Sequence, residues 1–266
     1  MIRFLNLDCK CTKLFLNNKN SIKKCEIFYF DSITIIFVSE MYLNMFKENF
    51  RIEVNSSLYI KNPISSKLGE LIVQEGLLLL ESIGYEDFTF KKLANLIHTT
   101  ESTLYRYFEN KHQFLMYLFN YYWTWMEVNF TLAITNIEDP KEQFKRIIEV
   151  LTSQLPQKIG SLLLDEFLLK QVITNESSKT FLNKRVDEEN KAGYYLTFKR
   201  NVCLISEVLL KINPKYLYPN ALAATIVEAS FHQRYFGIHL PRLTNELHIA
   251  SNLEHFLYQL AINTLS

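Results

Sequence analysis

The segment from Phe88 to Lys111 constrains this chain most, because its apolar residues recur at the spacing of two short helices with little room between them. Phe90, Leu93, Ala94 and Ile97 fall at i, i+3, i+4 and i+7, while Lys91, Lys92 and Asn95 point elsewhere. A helix this short is held by the face it buries rather than by its own propensity, so the pattern predicts an amphipathic helix docked on a neighbour. Thr89 stands before it as N-cap, its hydroxyl placed to accept from a free backbone N–H. His98 and Thr99 interrupt the pattern, and Thr100 caps a second helix running to Phe108, with Leu104 and Phe108 facing inward. Its outward side carries Glu101, Ser102, Thr103, Tyr105 and Arg106. A third helix starts at Asn110, with Gln113 at capping-box spacing and Lys111 at the helix N-terminus, where dipole and free amides already favour a phosphate.

Two helices joined by a tight turn are the arrangement that lays one helix in the DNA major groove. Small hydroxyl side chains at the start of such a helix let the backbone approach base edges, and tyrosine, arginine or lysine beyond them hold phosphates. Residues 66–119 resemble the DNA-binding head of the tetracycline-repressor (TetR/AcrR) family. The resemblance is carried by Gly84, Thr89, the Leu93-Ala94 pair, Thr100 and the run Thr103-Leu104-Tyr105-Arg106-Tyr107-Phe108-Glu109-Asn110-Lys111. It implies an all-α protein, with a three-helix DNA-binding head containing a helix-turn-helix, followed by an α-helical effector and dimerisation domain. It also implies a cytoplasmic repressor that binds palindromic double-stranded DNA as a homodimer and is released by a small-molecule effector. The residues it assigns to DNA are Thr89, Thr100, Glu101, Ser102, Thr103, Tyr105, Arg106, Tyr107 and Lys111; no metal and no cofactor is implied. Two positions depart from the pattern. His98 stands where the family has Gly, which costs about 1 kcal/mol in a left-handed turn, and Glu101 stands where relatives carry a neutral or basic residue.

Charge adds little. From 61 to 113, six lysines and arginines stand against seven acidic residues, a net of −1, so this head lacks the basic footprint of a strong non-specific DNA binder. It reads as a specific binder with few phosphate contacts per head, which a dimer doubles. Six Gly and six Pro in 266 residues argue against a turn-rich β fold, and 48 % hydrophobic residues suffice for a substantial core. No apolar run reaches the roughly 18 residues needed to cross a bilayer, so no membrane partner is expected.

Three segments follow: 1–60 as an N-terminal extension, 61–119 as the head and 120–266 as the helical body. The first 40 residues lack helical period, and the apolar run Ile27 to Val38 is interrupted by Asp31. Met41 and Met45 lie an arm's length before the first helix, so translation is expected to start at one of them. Cys9 and Cys11 are separated by Lys10 alone, too close for the usual zinc spacing, and with Cys25 and Cys203 they suggest reduced thiols. The first helix is predicted from Ser66 to Ile83, with Leu68, Leu71, Ile72, Leu78, Leu79 and Ile83 inward and Gly84 as its stop. A long helix follows Lys111, and Asp139-Pro140-Lys141-Glu142 starts another. Pro156 and Gly160 break the chain, and further helices are expected at about 161–173, 178–211 (in one or two pieces), 219–237 and 245–263.

The last two helices are the dimer candidates: Ala221, Ala223, Ala224 and Ala229 permit close approach, and Leu253, Phe256, Leu257 and Leu260 form a stripe, equally readable as intrachain core. Tyr121, Tyr122, Trp123, Trp125, Phe130, Phe167, Tyr194, Tyr195 and Phe198 invite a pocket, yet aromatics at helical spacing are more often core. No ligand contact is assigned. No phosphate loop, His-Glu-x-x-His or nucleophile elbow occurs, and Glu228 with His232 or Glu254 with His255 lack partners for a bundle metal site, so an enzyme is not expected. The remaining alternative is a helical interaction module that has lost DNA binding.

Overall fold

A computed structural model describes residues 52–153 and 163–266. Cys9, Cys11, Cys25, the Ile27 to Val38 run, Met41, Met45, Pro156 and Gly160 lie outside the described residues. Eleven α-helices and no strand occur among the described residues: α1 Lys67–Asp87, α2 Phe90–Leu96, α3 Glu101–Tyr105, α4 Lys111–Ile134, α5 Pro140–Thr152, α6 Glu166–Glu176, α7 Ser178–Phe181, α8 Val186–Lys191, α9 Leu196–Ile212, α10 Pro219–His239 and α11 Ala250–Leu265.

Local chemistry sets most boundaries. Ser66 accepts from the Gly69 amide to open α1, Asn110 from the Gln113 amide to open α4, and Asp139 from the amides of Lys141 and Glu142 to open α5. Gln113 does reach back, but its oxygen accepts from the Glu109 amide, one residue before the cap. Gly84 takes φ +72°, and the chain turns another short stretch to Asp87 before ending. The expected helix over 178–211 is three pieces, α7, α8 and α9, separated at Leu182–Arg185 and at Ala192–Tyr195.

The inward face of α1 differs from expectation. Gly69, Ile72, Val73, Gly76, Leu77 and Leu80 are buried, whereas Leu68, Leu71 and Leu78 are exposed. Four consecutive leucines at 77–80 carry no phase, and the two glycines mark the packed side. A Cβ at Gly76 would stand 2.4 Å from the Phe114 ring of α4, so the face is chosen by how closely these two helices cross.

Helix α4 is the central helix among the described residues. It packs on α5, α6 and α9, and from Phe114 to Trp123 every residue is buried. A helix apolar on all sides must be surrounded, which explains why its aromatics are core: Tyr121, Tyr122, Trp123, Trp125 and Phe130 are buried with Tyr195, while Phe167 is half exposed. Asn201 of α9 donates to the Trp123 and Thr197 carbonyls, and Asn120 to the Met116 and Tyr194 carbonyls, tying α9 and its approach to this helix. The stripe on α11 splits: Leu253 and Leu257 are buried within the chain, as is Ala223 on α10, and Phe256 is exposed.

Two polar joints hold elements far apart in sequence. Glu189 of α8, 4 % exposed, pairs with His112 Nε2 at 2.8 Å and accepts from the Tyr195 hydroxyl at 2.7 Å and the Asn183 amide at 3.2 Å. At the end of α1, the Lys111 ammonium donates to the Tyr85 and Glu86 carbonyls at 3.0 and 3.1 Å and lies over the Tyr85 ring, while Glu176 of α6 accepts from the Tyr85 amide at 3.0 Å.

Candidate nucleic-acid interface

Helix α2 forms as its spacing predicts. Phe90, Leu93 and Ala94 are buried, and the Thr89 hydroxyl accepts from the Lys92 amide at 3.2 Å. His98 holds φ +53°, the left-handed conformation required for the turn to close. The Thr99 amide then donates to the Ala94 carbonyl at 2.9 Å, folding the chain back toward α3.

Helix α3 is shorter than expected, five residues ending at Tyr105, with Arg106 closing it. Thr100 does not accept from the helix backbone; its hydroxyl hydrogen-bonds to those of Ser102 and Thr103, each at 2.9 Å. Leu104 is fully buried beneath, and the Phe90 ring of α2 meets the Tyr105 ring edge-on at 5.1 Å. Outward stand Thr100, Ser102, Tyr105 and Arg106, all exposed, with Glu101 and Thr103 half-buried beside them. The Tyr105 hydroxyl donates to Glu101 at 3.3 Å, so the acid lies among the groups that could meet a ligand.

Two expected contact residues are placed otherwise. Tyr107 is 3 % exposed: because α3 stops at Tyr105, the chain turns it inward. Its hydroxyl meets that of Ser66 at 2.9 Å, its carbonyl accepts from the Ile60 amide, and Lys61 covers its ring at 5.1 Å. Tyr107 is therefore a brace between α3 and the start of α1, not a surface group. Lys111 is half-buried and spends two donors on the end of α1, which removes it from the free charge assigned to a phosphate. Nothing in either local sequence pattern announces the contact of Ser66 with Tyr107, 41 residues apart. The chemistry left at the surface is two small hydroxyls, a phenol and a guanidinium over a rigid apolar backing, suited to phosphate and base-edge contact. Among the described residues no group of three or more His, Cys, Asp or Glu could hold a metal ion, and no helix is long and apolar enough to cross a membrane.

The family model of bacterial regulatory proteins of the tetR family matches residues 72–118. No curated protein matches the chain in sequence. Among solved structures, a TetR-family transcriptional regulator from Syntrophomonas wolfei str. Goettingen superposes with a TM-score of 0.54 at 16 % identity, covering 73 % of this chain and 94 % of that one. AibR in complex with isovaleryl coenzyme A and operator DNA gives 0.48 at 18 % identity, covering 71 % and 95 %. The ketosteroid transcriptional regulator KstR2 of Mycobacterium tuberculosis gives 0.48 at 12 % identity, covering 73 % and 93 %. The first likeness extends the shared helical architecture through the body, and the matched segment spans most of α1, all of α2 and α3, and the start of α4. Residues 72–118 are therefore similar to the bacterial regulatory proteins of the tetR family.

Proposed function

We propose that this chain is a cytoplasmic transcriptional regulator, a repressor that binds palindromic operator DNA as a homodimer and releases it when a small molecule binds the helical body. Residues 61–119 serve as reader and 120–266 as sensor and dimerisation domain, with α4 running through the boundary. The observation that carries this reading is the outward face of α3: Ser102, Tyr105 and Arg106 are exposed while Leu104 directly beneath is sealed in the core. A five-residue helix so braced can enter a groove without unfolding. Thr89, Thr100, Glu101 and Thr103 border the same face, whereas Tyr107 and Lys111 support it from behind.

Dimerisation is supported by apolar residues left exposed near and on the last helix, Leu240, Ile249 and Phe256. Two reading helices about one DNA turn apart would address a palindrome, and an effector that changes their separation would release it. The reading assigns no catalysis. Selection of bound DNA fragments tests it. A recovered palindrome whose binding is lost on Arg106→Ala supports the regulator.

The alternative, an interaction module without DNA affinity, is favoured by one observation, the Glu101 carboxylate held against Tyr105 on a head of net charge −1. Absence of any selected fragment, unchanged as salt is lowered, would establish it.

A further inference from the structure

Two cations converge on one helix end in the body. Lys170 of α6, 9 % exposed, donates to the carbonyls of Leu151 at 2.9 Å and Ser153 at 2.7 Å, and Arg234 of α10 donates to that of Thr152. These carbonyls close α5, whose dipole offers roughly half a negative charge. One cation would more than satisfy it, so capping alone does not account for two. No carboxylate among the described residues forms an ion pair with either, and residues 154–162, which follow α5, contain no Asp or Glu. Burial pushes the Lys170 ammonium well below its ordinary range, with Arg234 adding to the effect, and burial lowers Arg234 as well. Nearby, within the field of Arg234, the Tyr122 hydroxyl is fully buried and has no hydrogen-bond partner among the described residues. Two basic groups thus meet in a largely buried place with no carboxylate paired to either, an arrangement that an anion would stabilise.

Both cations line a cleft of about 270 Å³ whose walls are Phe167, Tyr235 and Ile238, with Glu81 of α1 also lining it. We propose that this cleft binds a small organic carboxylate, its charged end on Lys170 and Arg234 and its apolar part along Phe167, Tyr235 and Ile238. The volume falls just below the roughly 300 Å³ at which drug-sized ligands begin, which points to a short acid. An inorganic anion would leave the apolar walls unused. Because Glu81 belongs to the first helix of the head, the ligand would sit where body meets reader; the inference thus deepens the effector half of the proposed function.

Calorimetric titration of the full chain, without DNA, with hexanoate and its uncharged isostere hexanamide tests the site. Hexanoate is expected to bind, with hexanamide at least about tenfold weaker, the scale of one charge-assisted hydrogen bond. Arg234→Gln should weaken hexanoate by a similar factor. Ile238→Glu alters an exposed side chain at the wall, 62 % accessible, and should weaken hexanoate through like charge without touching the core; it carries the test if Arg234→Gln fails to fold. The site is overturned if hexanamide binds as well as hexanoate, if neither binds at about 10 mM, or if every folded variant binds hexanoate as the parent does. DNA binding is scored separately, so a chain that takes hexanoate but no operator sinks the regulator and keeps the site, and the converse result does the reverse.

Discussion

Replacing Glu189 with alanine removes, at one stroke, the partner of His112, Tyr195 and Asn183. The carboxylate is 4 % exposed, so water cannot take its place, and Tyr195 and Thr180, whose carbonyl also accepts from that phenol, are buried with it. Hydrogen bonds to a charged group contribute about 1.5–3 kcal/mol each but do not add when they share one acceptor. Removing one partner from a buried polar pair costs about 3–5 kcal/mol, and that is the expected loss here. For a chain of this size it corresponds to a fall in melting temperature of about 6–20 °C. The contrast is Arg200, which grips Glu127 at 2.6 and 2.7 Å but is 55 % exposed. Its alanine variant should lose no more than about 1 kcal/mol, since exposed pairs are screened and costly to order. Thermal and urea unfolding of both variants, followed by circular dichroism, measure the difference. If Glu189→Ala loses less than about 1 kcal/mol, as little as the exposed pair, the joint is not a buried polar network and the reasoning fails.

Gly84→Ala should cost about 1–3 kcal/mol in unfolding free energy through its φ of +72° alone, because a Cβ there would meet only Glu176 Oε1 at 3.5 Å. Arg106→Ala should weaken operator binding and reduce the slope of log affinity against log salt by about 0.9 per head, about 1.8 for the dimer, whereas Lys111→Ala should act chiefly on melting temperature, having been tied to the end of α1. Tyr107→Phe should lower stability by about 1 kcal/mol, through the lost Ser66 hydrogen bond, and leave the salt slope unchanged. Burial pushes the Tyr121 phenol up to about 12. A raised folded value means its contribution is whole below the ordinary value near 10 and is lost as pH climbs through 12. Stability should therefore fall by about 2–3 kcal/mol over that window from this group, and Tyr121→Phe should flatten the alkaline limb of an unfolding curve.

The residues that revealed themselves in the sequence are those whose partners lie within one or two helical turns. Thr89, Asn110 and Asp139 cap the helices their spacing announced, and Phe90, Leu93 and Ala94 bury the face their period described. Where the local pattern carried no phase, tertiary packing decided. The leucine run in α1 could face several ways, and Gly69 and Gly76 selected one by permitting close approach. Tyr107 lies two residues past the end of α3, and its turn inward answers Ser66, a partner no periodicity specifies. Tyr195, Asn183 and Glu189 sit in the stretch read as one or two helices, and His112 joins them across 77 positions. The convergence of Lys170 and Arg234 on the end of α5 is equally invisible before the helices are assembled, because it depends on three elements meeting.

The Tyr85 corner has a mechanical meaning. Its amide is claimed by Glu176 from one helix and its carbonyl by Lys111 from another, so the two peptide units that flank one α-carbon are each held by a different helix. Sliding α6 along its axis by more than a hydrogen bond can stretch must either drag this residue along or let it go. Dragging it loads the lysine that stands at the very start of α4; releasing it leaves Glu176, one-tenth exposed, with its ion pair to Lys179 but without the Tyr85 amide. The corner thus works as a latch with two keepers, and α6 and the start of α4 are geared to each other there.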